Sequence, residues 1–172
     1  MNDFKKRKTG DIESVSAQVL FPIIKELLAE GQQAAFTVTG MSMWPFLCHG
    51  RDQVVLDVCT PETLKVGDIL LFQTKVGNYM LHRVTALRAN QFQTTGDGNS
   101  FRDGWFSNTC ILGRVVRFIR KGKTVDCYSR KYRIICRLWN VSVSNPQVDL
   151  CDLVSHPKNT SSGDTHYKYG RY

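Results

Sequence analysis

A series of short β-patterned runs, separated by turns rich in glycine and aspartate, constrains this chain more than any other feature. The runs cover residues 35–39, 53–58, 69–73, 79–87, 91–95 and 111–120, with 123–128 as a further candidate. Between them lie His49-Gly50-Arg51-Asp52, Val66-Gly67-Asp68, Lys75-Val76-Gly77-Asn78 and Gly96-Asp97-Gly98-Asn99. Glycine supplies positive φ in such turns, and Asn and Asp side chains bond to nearby backbone. Short strands joined in this way predict a mainly β domain, either barrel or sandwich. A chain of 172 residues holds one such domain with a real core and accessory segments. Its 42% hydrophobic and 22% charged content is that of a soluble globular protein.

The β domain, assigned to residues 35–127, is flanked by helical patterns. Residues 1–34 read as a polar segment followed by an amphipathic helix, capped by Asp11 and stopped by Gly31 after about Glu30. Val15, Val19, Ile23 and Leu27 form its stripe, widened by Leu20, Ile24 and Leu28. Pro22 predicts a kink or a late start. Residues 128–145 read as a basic amphipathic helix. Tyr128, Tyr132, Ile135 and Trp139 share one face, joined by Leu138, and Arg130, Lys131, Arg133 and Arg137 take much of the rest. Such a helix either covers an end of the sheet, the favoured reading, or lies on anionic lipid. Residues 146–172 form a polar tail, expected to lack structure beyond about residue 155.

Charge narrows the choice of partner. The net charge is +8, and residues 114–137 carry nine Lys or Arg against one acid, Asp126. A second basic cluster is Lys5-Lys6-Arg7-Lys8. Such a patch suggests an anionic membrane surface engaged through residues 114–143, nucleic acid or acidic peptide, beside the plain reading of a solvated face. No specific nucleic-acid partner is expected. The basic N-terminus has no apolar stretch or small-residue cleavage site, and the longest early apolar run, Val19-Leu20-Phe21-Pro22-Ile23-Ile24, is too short to span a bilayer. The expectation is a cytoplasmic protein, at most peripheral at the inner membrane surface. Its six cysteines form no Cys-x-x-Cys pair and no zinc-ligand spacing, so reduced thiols are expected, with no metal and no cofactor.

Gly40-Met41-Ser42-Met43-Trp44-Pro45-Phe46-Leu47 follows the first run. Gly40 relaxes the backbone before Ser42, and Pro45 stiffens it after. A serine held in this way suits a nucleophile, which requires a base. His156 and His166 lie in the tail. His49 sits in a turn beside Cys48, an unsupported pair as metal ligands. His82 lies in a strand, on the face of Met80, Val84 and Ala86. An imidazole base also needs an acid to orient it, and residues 96–103 offer Asp97 and Asp103. Ordinary readings exist for each singly: a loop serine, a core histidine, an Asx-rich turn.

Their order resembles that of the signal peptidase I and LexA-type serine peptidases, which share an all-β catalytic domain. The nucleophile motif is similar to residues 40–47, and the strand after it to Arg51-Asp52-Gln53-Val54. Gly67-Asp68-Ile69-Leu70-Leu71-Phe72, Leu81-His82-Arg83-Val84, Gly96-Asp97-Gly98-Asn99 with Asp103, and Leu112-Gly113-Arg114-Val115-Val116 resemble the later boxes. Most bacterial members and the LexA-type repressors carry a lysine in the base box. His82 there resembles the archaeal and endoplasmic-reticulum branch, leaving Lys65 and Lys75 outside the motif. The resemblance implies an all-β catalytic domain with flanking helices, Ser42 as nucleophile, His82 as general base and Asp103 as orienting acid, with Asp97 bracing the loop or exchanging roles with Asp103. Gly40, Met43 and Pro45 would serve the oxyanion and substrate. An imidazole base titrates near pH 6.5 and a lysine base near pH 10, so the pH profile separates the two branches.

The family usually has Thr or Ser after the motif proline, where this chain has Phe46, and usually carries a transmembrane anchor. The implied activity is endopeptidase processing of a peptide or protein precursor. Alternatives are a non-catalytic module that uses the same fold to bind peptide, lipid or nucleic acid, and a self-cleaving LexA-type regulator. The roughly 34 residues before the first strand are short for a DNA-binding domain.

Overall fold

The computed structural model describes residues 16–143. The mainly β expectation holds. Helix α1 (Ala17–Ala29) is followed by β1 (Ala34–Thr37), β2 (Asp52–Asp57), β3 (Ile69–Gln73), β4 (Tyr79–Arg88), β5 (Gln91–Thr95), β6 (Trp105–Ser107), β7 (Ile111–Arg120), β8 (Lys123–Asp126) and helix α2 (Arg130–Val143). All pairings are antiparallel and join one eight-stranded sheet in the order β1-β2-β7-β3-β4-β5-β6, with β8 also on β7. A single continuous sheet replaces the two separate sheets of a sandwich.

β3 is buried along Ile69, Leu70, Leu71 and Phe72, and its alternation feeds two cores. Ile69 and Leu71 join the larger one with Val54, Leu56, Val115 and Phe118 from the sheet, Ile24 and Leu28 from α1, and Tyr132 and Cys136 from α2. Leu70 and Phe72 join the smaller one with Val84 and Phe92. Both helices therefore share the core of the sheet, α2 with Tyr132 and Cys136 facing inward.

Several boundaries and faces differ from expectation. α1 begins at Ala17 behind Ser16, and Asp11 lies outside the described residues, as do Val15 and the tail from 146. Pro22 sits inside the helix. The inward stripe is Ile24 and Leu28, with Leu20, Phe21 and Leu27 partly buried, while Val19 and Ile23 are exposed. The widening stripe packs because it faces β7, where a Cβ on Gly113 would lie 2.7 Å from Leu28 Cδ1. At the other end, Gln32 N–H bonds to Leu27 carbonyl and Gly31 N–H to Leu28 carbonyl, with Gly31 at φ 75°, the paired bonds of a Schellman stop.

β6 has no counterpart among the expected runs, since three residues are too few to display alternation. Tyr128 is exposed and precedes α2, and Leu138 is exposed within it. Cys136 takes the inward position instead. Ala86 does not share the His82 face. The β4–β5 register runs Val84↔Thr94 and then Ala86↔Gln93, so Thr85 is an extra residue and the alternation flips there.

Candidate active site

Ser42 lies in the connection from β1 to β2, which is held at several points. Gly40, at φ 86°, donates its N–H to His49 Nδ1 at 3.0 Å, closing the neck of the loop. Trp44 N–H bonds to Met41 carbonyl and Leu47 N–H to Met43 carbonyl, and the Trp44–Pro45 peptide is cis. Met43, Phe46 and Leu47 are buried, whereas Met41 and Trp44 are exposed. Phe46 packs edge-on against Tyr132 and Trp139 of α2.

Asp52 secures the far end of the loop. Its buried carboxylate accepts from Cys48 N–H at 3.0 Å, from Arg51 Nε at 2.8 Å and from Arg120 at 3.0 Å, and Arg120 also donates to the Phe46 carbonyl. Burial pushes the Asp52 carboxyl upward, but the hydrogen bonds from Arg51, Arg120 and Cys48 N–H outweigh it and hold the group below the usual carboxylate range.

A second loop closes over the first. Gly98 donates its N–H to the Ser42 carbonyl at 2.8 Å. A Cβ on Gly96 would stand 2.5 Å from the same carbonyl oxygen, and one on Gly98 would stand 2.9 Å from the Trp44 carbonyl oxygen. Only glycines permit this approach of backbone to backbone. Between them, Asp97 turns inward and accepts two bonds of 2.7 Å from Arg83, both side chains being 1% exposed. Arg83 also donates to Gly67 carbonyl at 2.9 Å and to Tyr132 Oη at 3.3 Å, and its guanidinium lies over the Phe46 ring. Burial lowers the Arg83 pKa, but the Asp97 charge more than reverses this and holds it well above the usual arginine value.

His82 is next to Arg83 on β4 and faces the opposite side. Its Nδ1 lies 2.7 Å from Asp103 Oδ2. A carboxylate only accepts, so Nδ1 carries the proton in this pair, and in the neutral imidazole Nε2 is then the acceptor. Thr94 Oγ1 donates to the same carboxylate oxygen at 2.7 Å, while Asp103 N–H bonds to Thr94 carbonyl and Gln93 Nε2 to Asp103 carbonyl. Asp103 is therefore fixed through its side chain and its backbone.

Ser42 and His82 line one cavity of about 140 Å3, walled by Val38, Gly40, Met43, Tyr79 and Leu81. Among the described residues, no hydrogen bond joins the Ser42 hydroxyl to His82, and the N–H groups of Ser42 and Met43 have no partner. The Gly40 N–H is already bonded to His49. The arrangement places an oriented imidazole and a serine on the wall of one cavity.

Of the residues singled out in the sequence, Ser42, His82, Gly40 and Met43 meet at the cavity, and Asp103 stands behind His82. Asp97 is directed to Arg83 instead. Pro45 and Phe46 are not in the cavity wall, and Lys65 and Lys75 are exposed away from it. The supporting roles of Thr94, Gln93, Arg83, Tyr132, His49 and the Asp52–Arg120 pair were not read from the sequence. A single signal pointed to one of them: Arg83 sits mid-strand between His82 and Val84, and a guanidinium buried there requires a carboxylate. No family model matches the chain, and no curated protein matches it.

Proposed function

We propose that this protein is a serine endopeptidase of the signal-peptidase and LexA-type kind, acting on a peptide or protein precursor. The observation that carries the reading is the buried Asp103–His82 pair opening onto the cavity that Ser42 lines. His82 Nε2 takes the Ser42 proton as the hydroxyl attacks a peptide carbonyl. The N–H groups of Ser42 and Met43 hold the developing oxyanion, in place of the Gly40 N–H that is bonded to His49. His82 then protonates the leaving amine, and water, deprotonated by His82, releases the acyl group from Ser42. Asp103 keeps the proton on Nδ1 and stabilises the imidazolium. The apolar wall of Val38, Met43 and Leu81 and the cavity of about 140 Å3 favour a small apolar side chain beside the scissile bond.

Serine–base contacts are often long in free enzymes and tighten on substrate binding. The missing Ser42–His82 hydrogen bond also favours a second reading, a peptide-binding module without catalysis. Incubating the protein and its Ser42→Ala variant with a diverse peptide mixture over about pH 5–9 separates the two. Cleavages lost in Ser42→Ala support the peptidase. Identical digests from two folded proteins, with peptide retained by both, support the module.

A further inference from the structure

We propose that α2 docks the protein onto an anionic lipid surface through its outward face. This inference stands independently of the peptidase reading. The inward face of α2 is committed: Tyr132 and Cys136 are buried, and Ile135 and Trp139 pack on the same core. The helical repeat then sets Ile134 near the centre of the outward face, between Arg130 and Arg137, with Leu138 on its flank beside Lys131. Ile134 and Leu138 are 56% and 49% exposed. Lys131 borders them on one side, and Arg130, Arg133 and Arg137 on the other, all exposed.

These cations differ from Arg114 and Arg120 on β7, whose charges are paired. Arg114 pairs with Asp68, Arg120 with Asp52, and Arg117 donates to Gln33. Among the described residues, none of the four cations on α2 enters an ion pair. No acid occurs between Arg130 and Val143 to offset them. Two exposed aliphatic side chains, bordered by cations that have no ion pair among the described residues, match a plane with negative headgroups above hydrocarbon. An acidic peptide would satisfy the cations but leave Ile134 and Leu138 in water.

The test is co-sedimentation of the full chain with vesicles of phosphatidylcholine alone and of roughly three parts phosphatidylcholine to one part phosphatidylglycerol, at low and high salt. Two variants accompany it: Arg130→Gln/Arg133→Gln/Arg137→Gln, and Ile134→Ser/Leu138→Ser. Both alter exposed positions only, and circular dichroism checks their fold. The expected result is binding to the anionic vesicles alone, weakened by salt, reduced at least about tenfold in the arginine variant and severalfold in the aliphatic variant. Absence of binding to anionic vesicles overturns the proposal. So does equal binding by either variant, which moves the contact elsewhere on the chain. Preferential capture of polyglutamate over vesicles overturns it in favour of an acidic peptide.

Discussion

Gly98 donates its N–H to the carbonyl of Ser42 at 2.8 Å, so the loop after β5 and the loop before β2 are joined backbone to backbone. Gly96 lies still closer, with room for no Cβ beside the Ser42 carbonyl oxygen. Gly96→Ala is expected to force the two loops apart, at a cost of about 1–3 kcal/mol. Gly104→Ala, where nothing lies within 4 Å of the added carbon, is expected to stay within about 0.5 kcal/mol of the parent. Urea unfolding of the two variants checks the contrast.

Asp97 acts on Arg83 rather than on His82. Asp97→Asn leaves a buried guanidinium without its counter-charge, which costs about 3–5 kcal/mol. Tyr132→Phe removes only one 3.3 Å hydrogen bond from the same guanidinium and should cost about 0.5–1.5 kcal/mol. Denaturation midpoints of the two variants should differ in that order.

Asp52 ties stability to acid. Its carboxyl sits below the usual range when folded, so its contribution is complete above the unfolded value of about 3.9 and is lost as pH falls through the folded value. Asp52→Asn should lower stability at neutral pH, and its deficit against the parent should narrow as pH falls below about 4. Unfolding curves taken at several pH values measure that convergence.

Burial pushes the Cys127 thiol up to about 12. At about pH 8 a free cysteine is partly thiolate, but Cys127 stays protonated. Iodoacetamide should spare Cys127 in the native protein and modify it once urea unfolds the chain, as read by peptide mass spectrometry.

The strands were legible because β alternation and glycine turns are local signals. β6 was not, being only three residues long and recognisable through its pairing with β5. The α1 stripe was visible, but its inward edge was fixed by Gly113 on β7, far along the chain. At the site, Ser42, His82 and the two aspartates Asp97 and Asp103 stood out by residue type and order, and the family resemblance favoured Asp103. Which aspartate meets His82 depended on the fold: Thr94 and Gln93 hold Asp103 in place, while Arg83, on the other face of β4, draws Asp97 away. The partners of Asp52 were equally hidden, since Arg120 lies 68 residues away on β7.

The proposed peptidase requires that His82 and Asp103 activate Ser42. Its most direct test is intact-mass measurement after exposure to a fluorophosphonate, for the parent chain and for Ser42→Ala, His82→Ala and Asp103→Asn. One adduct is expected on the parent, mapped to Ser42 and absent from Ser42→Ala. Labelling slowed on the order of 10^2–10^4-fold is expected in the other two variants, provided that they are folded. A folded parent that takes up no adduct, or labelling at the parent's rate in folded His82→Ala, would contradict that activation.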